Sequence, residues 1–135
     1  MSDKFDLNKL VLVGETAEAS LRRTSEILRD QGLNPNVTIE FISKEQGVFS
    51  GYGEISQIIS RFLPKAFRDE VLCLNDGDIF AKGEVILRVS CTFAVIANYI
   101  TAINGIISSS SGWATAAKEC VDSAEGIPIL SLIHI

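Results

Sequence analysis

The chain has 135 residues, of which 47% are apolar and 21% are charged. This length suffices for one buried core, and this composition excludes disorder as the default state. The formal net charge is −5 and the sequence contains no run of Lys or Arg. Because nucleic acids and anionic lipid surfaces bind clustered cations, we expect neither nucleic acid nor membrane as a partner.

The first part of the chain predicts two helices and a strand. Apolar residues recur at helical spacing over residues 16–31, and Gly32 can supply the left-handed residue that ends such a helix. Over residues 37–42 the pattern alternates, which predicts a strand with one buried face. A glycine-containing loop follows. Isoleucines at helical spacing then predict a helix over residues 54–63, which Pro64 ends.

The middle of the chain predicts two short strands joined by turns. Residues 71–74 are apolar, and the sequence Asn75-Asp76-Gly77-Asp78 follows them directly. Asn, Asp and Gly favour turns because their side chains bond to nearby backbone or tolerate positive φ. Lys82-Gly83 predicts another turn, and alternation over residues 85–89 predicts the strand after it.

A long uncharged segment begins at Val89 and ends at Ala117. Its compact apolar run, residues 93–107, is shorter than the roughly 20 residues that a membrane span requires. We therefore predict a buried helix over residues 93–108. Ser111 is a candidate N-cap for a further helix over residues 111–125. The apolar run at residues 127–130 predicts a core strand.

The cysteine pattern favours buried free thiols over a metal site. Cys73, Cys91 and Cys120 are widely spaced, and the single histidine is His134. Because zinc requires about four clustered ligands, we expect no metal ion to bind this chain. Free cysteines and the lack of an apolar signal segment after Met1 indicate a cytoplasmic protein.

The order of these features carries a resemblance. Asp76-Gly77-Asp78 is followed by a strand, an uncharged helix and Ser111-Gly112-Trp113-Ala114-Thr115. That order resembles the region where nicotinate phosphoribosyltransferases and their quinolinate relatives pass from a small N-terminal domain into a catalytic barrel. Gly77, Asp78, Ser111, Gly112 and Thr115 match the motif residues of these families. The resemblance implies a structural role for them, with the glycine of Ser-Gly letting two helices meet closely.

The resemblance also implies three substrate contacts. The first helix is similar to a family segment ending in Arg/Lys-Thr, which makes Arg23 and Thr24 candidates for substrate binding. Ser20 stands where that segment has an aromatic residue. In the long helix, quinolinate enzymes carry Glu-Arg and nicotinate enzymes carry Glu-Thr. This chain has Ile100-Thr101, so Thr101 is the third candidate and the nicotinate branch is favoured.

The expected fold is α+β. It consists of a small, mostly antiparallel sheet with a β-hammerhead-like hairpin, covered by helices, and a helical connector that leads into a truncated α/β barrel. The expected divisions are residues 1–92 for the N-terminal domain, 93–126 for the connector and 127–135 for the start of the barrel or a foreign tail. Whether residues 132–135 are native stays open, since they differ from the continuation in the family.

The function that the resemblance implies is nicotinate mononucleotide formation from nicotinate and phosphoribosyl pyrophosphate, for NAD synthesis. The chain would be an inactive N-terminal fragment with no catalytic residue and no cofactor of its own. Mg²⁺ and a homo-oligomeric state are implied for the full-length protein. One alternative is a non-catalytic relative that has lost the pyridine site, given the departures at Ser20, Cys91 and Ile100. The other is a lipoyl- or biotinyl-like carrier or interaction module.

Overall fold

The computed structural model describes residues 7–64 and 71–130. They form an α+β fold whose elements, in chain order, are α1 (Lys9–Leu12), α2 (Ala19–Asp30), β1 (Asn36–Ile42), β2 (Gly47–Val48), α3 (Tyr52–Phe62), β3 (Leu72–Cys73), β4 (Ile79–Phe80), β5 (Val85–Thr92), α4 (Phe93–Ile96) and α5 (Ile100–Ser123). The predicted fold class is confirmed by this architecture.

Two antiparallel sheets organise the chain. The larger has the strand order β1-β5-β3, and the smaller pairs β2 with β4. Along β1 the inward side chains, such as Phe41, alternate with exposed ones, such as Glu40. Glu40 lies opposite Arg88 of β5, and its carboxylate accepts a hydrogen bond of 2.6 Å from that guanidinium. Alternation thus decides which face of the larger sheet is buried.

The core lies between the inner face of the sheets and the helices α3, α4 and α5. Helix α3 contributes Ile55, Ile58 and Ile59, whose spacing places them on one face. Sheet residues such as Leu87 and Val89 pack in the same cluster. The other buried members of this cluster are Phe41, Phe49, Leu63, Phe80, Ile86, Cys91, Ile96, Ile103 and Ile107.

The short helix α1 was not predicted. Its last residue, Leu12, is bonded to Tyr99, which packs in turn on Phe62. The ring of Tyr99 stacks on Phe62 with centroids 4.3 Å apart, and its hydroxyl donates to the carbonyl of Leu12. Helix α2 covers residues 19–30 of the predicted 16–31 and contains no fully buried side chain. The N–H of Ala17 donates to the carbonyl of Gly14, so this residue belongs to the turn before α2 and not to the helix.

The predicted break between two helices at the serine cluster is wrong. The chain instead turns at residues 97–99, where Tyr99 N–H donates to the carbonyl of Ile96, and α5 then continues without interruption to Ser123. Ser111 is therefore an interior residue of α5 and not an N-cap. The helix continues through it because Ile103, Ile107 and Ser111 recur every four residues on the buried face.

One expectation for an apolar segment agrees with the structure and another is wrong. The segment 93–107 is buried at Ile96, Ile103 and Ile107, which lie in the core as the predicted burial requires. Residues 127–130 form no strand: they find no pairing partner among the described residues, and Leu130 is 81% exposed. The predicted tail 132–135 lies outside the described residues. Within the described ranges, no helix combines the length and hydropathy that crossing a bilayer requires.

Candidate functional site

The turn between β3 and β4 is a structural junction. Gly77 has a φ of +94°, a conformation that favours glycine, and its N–H donates to the carbonyl of Phe49. The N–H of Phe49 in turn donates to the carbonyl of Asp78, and the Asp78 carboxylate accepts from the N–H of Asn75 at 2.8 Å. Gly77 and Asp78 thus tie this turn to the segment after β2. The predicted hammerhead-like hairpin is therefore not a simple hairpin, because β3 belongs to the larger sheet and β4 to the smaller one.

Asp76, in the same turn, caps helix α3. Its Oδ1 accepts hydrogen bonds from the N–H groups of Gly51 and Tyr52, at 2.8 and 3.1 Å. A carboxylate at this place satisfies unpaired N–H donors and interacts favourably with the helix dipole. The sequence contained one signal for this role. The turn has two aspartates, and Asp78 closes the turn itself, which leaves Asp76 free to act as a cap. Its partner could not be identified without the fold.

Two hydroxyls on α5, Ser111 and Thr115, bond the backbone beside β2. Ser111 Oγ accepts from the N–H of Ser50 at 3.1 Å, and Thr115 Oγ1 accepts from the N–H of Val48 at 2.9 Å. Alternate residues of a strand are about 6.6 Å apart and helix positions i and i+4 are about 6.0 Å apart, so the spacings match. We call Ser111 and Thr115 the hydroxyl pair. It explains the Ser-Gly-x-Ala-Thr order as a means of docking a helix on a strand edge.

The close approach occurs at Gly47 and not at Gly112. A Cβ on Gly47 would lie 2.7 Å from Thr115 Oγ1 and 2.8 Å from the ring of Phe80. A Cβ on Gly112 would meet no atom within 4 Å among the described residues. The expectation that Gly112 lets two helices meet closely is therefore wrong, because α5 is one helix and this face of it is open.

The three candidate substrate-binding residues lie near the start of α2, but they do not converge. Thr101 Oγ1 accepts a hydrogen bond of 3.0 Å from the N–H of Glu18, which precedes α2. Thr24 is six residues further on, about 9 Å along the helix axis, and its hydroxyl donates to the carbonyl of Ser20. Arg23 is exposed and has no ion pair within the described part of the chain. Thr101 lines a groove.

That groove, which we call the Thr101 groove, has a volume of about 440 Å³. One carboxylate, Glu54, lies in it, and Glu54 accepts no hydrogen bond within residues 7–64 and 71–130. The Thr16 hydroxyl is buried there and also lacks a partner among those residues. The other lining residues are Val11, Ala102, Gly105, Ile106, Ser109 and Ser110. No Lys or Arg lines the described walls, so the groove is weakly acidic and rich in hydroxyl groups.

The thiols show little sign of catalytic activation. Burial, with the charge of Asp76 adding to it, raises the pKa of Cys73 to about 11, and burial raises the pKa of Cys91. A raised pKa reduces the thiolate fraction that a nucleophile or a metal ligand needs. Within the described ranges, no three His, Cys, Asp or Glu side chains form a group that could hold a metal ion. Cys120 is exposed, which differs from the expected buried thiol.

An α+β fold of this kind occurs in a solved enzyme. The chain is similar to the crystal structure of nicotinate-nucleotide pyrophosphorylase from Pyrococcus furiosus, with a TM-score of 0.78 and 22% sequence identity. The match covers 100% of this chain and 36% of that chain, so the sequence spans about a third of that enzyme's length. At this identity the similarity shows the fold alone. No curated protein matches the sequence significantly.

The family follows from the sequence. A family model described as "Quinolinate phosphoribosyl transferase, N-terminal domain" matches residues 20–111, more than half of the chain. The chain therefore belongs to this family of domains. The match contains the Asp76 turn, β5, the first half of α5 with Ser111, and the lining residues of the Thr101 groove apart from Val11 and Thr16. It gives no support to the carrier-module alternative.

Proposed function

We propose that this chain is the N-terminal, substrate-covering domain of a phosphoribosyltransferase that joins nicotinate to phosphoribosyl pyrophosphate and so contributes to NAD synthesis. The observation that carries the choice of nicotinate is the Thr101 groove. Its described walls hold hydroxyls and the Glu54 carboxylate but no cation. A further expectation is that the pyridine ring lies against this groove while a catalytic domain supplies the phosphate contacts.

Charge supports nicotinate over quinolinate. Quinolinate carries two carboxylates, and a second buried carboxylate needs a cationic partner, since an unpaired charge in a desolvated site is costly. At position 101 this chain has a threonine that already accepts the Glu18 N–H. The nearby Glu54 would repel a second negative charge. Nicotinate has only one carboxylate, so it brings one charge fewer that needs a cationic partner.

The transfer step itself is assigned to the rest of the protein. Displacement of pyrophosphate requires cations, and in this family Mg²⁺ is implied for that role. The described residues contain no group of ligands that fits the ion. The chain matches only 36% of the solved enzyme, and we propose that the 135-residue chain alone forms no nicotinate mononucleotide.

A chimera tests this function. The chain would replace the matching 36% of the Pyrococcus furiosus enzyme, and activity would be measured with nicotinate and with quinolinate. We expect nicotinate to be the better substrate. Thr101→Arg should then raise the ratio of quinolinate to nicotinate kcat/KM by at least about ten-fold, equivalent to one added charge-assisted contact. Ser123→Arg, at the exposed end of α5, is the matched charge control and should leave the ratio unchanged.

A non-catalytic relative is the second candidate, and one contact favours it. The family pattern has an aromatic residue at the position of Ser20, whose hydroxyl instead donates to the Glu18 carboxylate at 2.6 Å. A serine offers no π face on which a pyridine ring can stack. If the chimera folds cooperatively but uses neither substrate, and Ser20→Tyr does not restore activity, the nicotinate proposal is wrong.

A further inference from the structure

Strand β1 is an edge strand whose free side has a defined set of backbone groups. The carbonyl of Pro35 accepts a hydrogen bond of 2.9 Å from the N–H of Phe93, so these two residues form a hydrogen-bonded pair across the β1–β5 ladder. Hydrogen-bonded pairs alternate along an antiparallel ladder. The register pairs Val37 with Cys91 and Ile39 with Val89, so these pairs are hydrogen-bonded as well. The N–H and C=O groups of the alternate residues therefore point away from β5; these residues are Asn36, Thr38 and Glu40.

These outward groups have no partner within residues 7–64 and 71–130, and their residues are exposed. The strand also lacks the usual protection of edge strands, because residues 36–42 include no Lys and no Pro. The only charge in the strand, Glu40, is paired with Arg88 at 2.6 Å. Unpaired backbone groups in such an arrangement favour the addition of another strand.

We propose that β1 is a self-pairing edge, on which β1 of a second copy of this chain adds antiparallel about a two-fold axis at Thr38. The available stretch determines this register. Pro35 limits it on one side, since proline has no N–H, and the irregularity between Phe41 and Ile42 limits it on the other. Thr38 is the middle one of the three outward residues in this stretch, so an axis at Thr38 uses all three of them.

The side chains agree with the same register. On the outer face, Thr38 meets Thr38 of the second copy, which is a favourable cross-strand pair, and Asn36 meets Glu40. On the inner face, Val37 meets Ile39, and both are half-buried edge residues in the single chain. An axis at Glu40 would place two carboxylates opposite each other, which is unfavourable. The paired sheets would form one continuous six-stranded sheet.

Light scattering and sedimentation of the 135-residue chain over a range of micromolar concentrations test the pairing. We expect a reversible dimer. Thr38→Lys places like charges opposite each other at the axis and should weaken dimerisation by at least about ten-fold, and more at low salt. Leu72→Lys adds the same charge on the exposed side of β3, at the other edge of the sheet, and should leave the dimer unchanged. Circular dichroism confirms that both variants fold.

Cysteine substitution tests the register. In a chain carrying Cys120→Ser, Thr38→Cys would bring two Cα atoms to about 5.5 Å at the axis, within the range of a disulfide. Glu40→Cys would place the cysteines about 13 Å apart, beyond that range. We expect a disulfide-linked dimer with the first variant only. A monomer at the highest concentration, a dimer that Thr38→Lys does not weaken, or cross-linking through position 40 alone would overturn the proposal.

Discussion

Asp76 stabilises the first turn of α3 from a position 24 residues after Tyr52 in the sequence. We predict that Asp76→Ala lowers the free energy of unfolding by about 1–2 kcal/mol, because two N–H donors lose their acceptor and the helix dipole loses a favourable charge. Asp76→Asn keeps an acceptor and should cost less. Urea unfolding measures both, with Glu26→Ala on the exposed face of α2 as control. An Asp76→Ala midpoint equal to that of the control would contradict the cap.

The three thiols should differ in how their alkylation depends on pH. Cys120 is exposed and should react first with iodoacetamide, whereas the pKa of Cys73, raised to about 11, keeps that thiol protonated and slow until strongly alkaline pH. Asp76→Asn removes one cause of the raised pKa, so Cys73 should become reactive at lower pH while Cys120 is unchanged. Mass spectrometry of alkylated peptides checks this; equal pH profiles for both cysteines would rule it out.

The same raised pKa has a consequence for stability. An unfolded cysteine has a pKa of about 8.5. Between that pH and about 11, the unfolded chain has lost the Cys73 proton and the folded chain has kept it. The unfolded state then binds fewer protons, so the contribution of Cys73 to stability is complete below pH 8.5 and decreases as the pH rises through this window.

At the scale of elements, the continuity of α5 gives a prediction about Gly112. It lies inside the helix, and a Cβ there would meet open space in the described part of the structure. Gly112→Ala should therefore stabilise the chain by about 0.5–1 kcal/mol through helix propensity. Gly47→Ala should destabilise it, since its Cβ would clash with Thr115 and Phe80. Thermal unfolding distinguishes the two. A destabilised Gly112→Ala would restore the interpretation in which two helices meet at this residue.

The elements that could be predicted are those whose pattern is local. Alternation located β1 and β5, and the isoleucine spacing located α3, because in each case buried or half-buried side chains recur on one face of the element. The pairing of β2 with β4 could not be predicted, since two-residue strands carry no period. Nor could the length of α5. Four serines and Gly112 weaken the helical pattern locally, and the hydrogen bonds that Ser111 and Thr115 accept from the backbone of residues 50 and 48 help to compensate for them.

Only part of the candidate site could be predicted, because the rest depends on residues that are far apart in the sequence. Thr101 could be placed because the resemblance supplied its position in the long helix, and it does line a groove. No sequence pattern indicated that Glu54 and Thr16 share that groove with Thr101, because the three residues come from three distant segments that only the fold brings together. Whether Arg23, Thr24 and Thr101 contact substrate stays a prediction.

At the scale of the whole molecule, the last part of the described chain exposes several large apolar side chains. Trp113 is 73% exposed and Ile127 is 72% exposed, and Val121, Ile129 and Leu130 are exposed as well. Because Trp113 is the only tryptophan, its fluorescence reports on this surface. We predict emission typical of a hydrated indole and strong quenching by acrylamide in dilute solution. A blue shift with rising concentration would indicate association through this surface.

That test separates two modes of self-association. The Thr38→Lys substitution acts at β1 and should leave the Trp113 spectrum unchanged at every concentration. A concentration-dependent blue shift that Thr38→Lys abolishes would mean that one interface includes both surfaces. Emission already shifted to the blue in dilute solution would contradict the exposed position of Trp113.

The hydroxyl pair also gives α5 a point about which its second half can tilt. The first half of the helix is fixed in the core at Ile103 and Ile107, the pair fixes its middle to the backbone of residues 48 and 50, and the second half extends beyond. From Thr115 to Ser123 the lever arm is about 12 Å, so a tilt of about 10° at the pair would displace its end by about 2 Å. The residue after Ser50 is Gly51, whose N–H donates a hydrogen bond to the Asp76 carboxylate. A force applied to the end of α5 would therefore be transmitted to the Asp76 turn and to the start of α3. In this way, any group that packs on the end of the helix would be coupled to the smaller sheet.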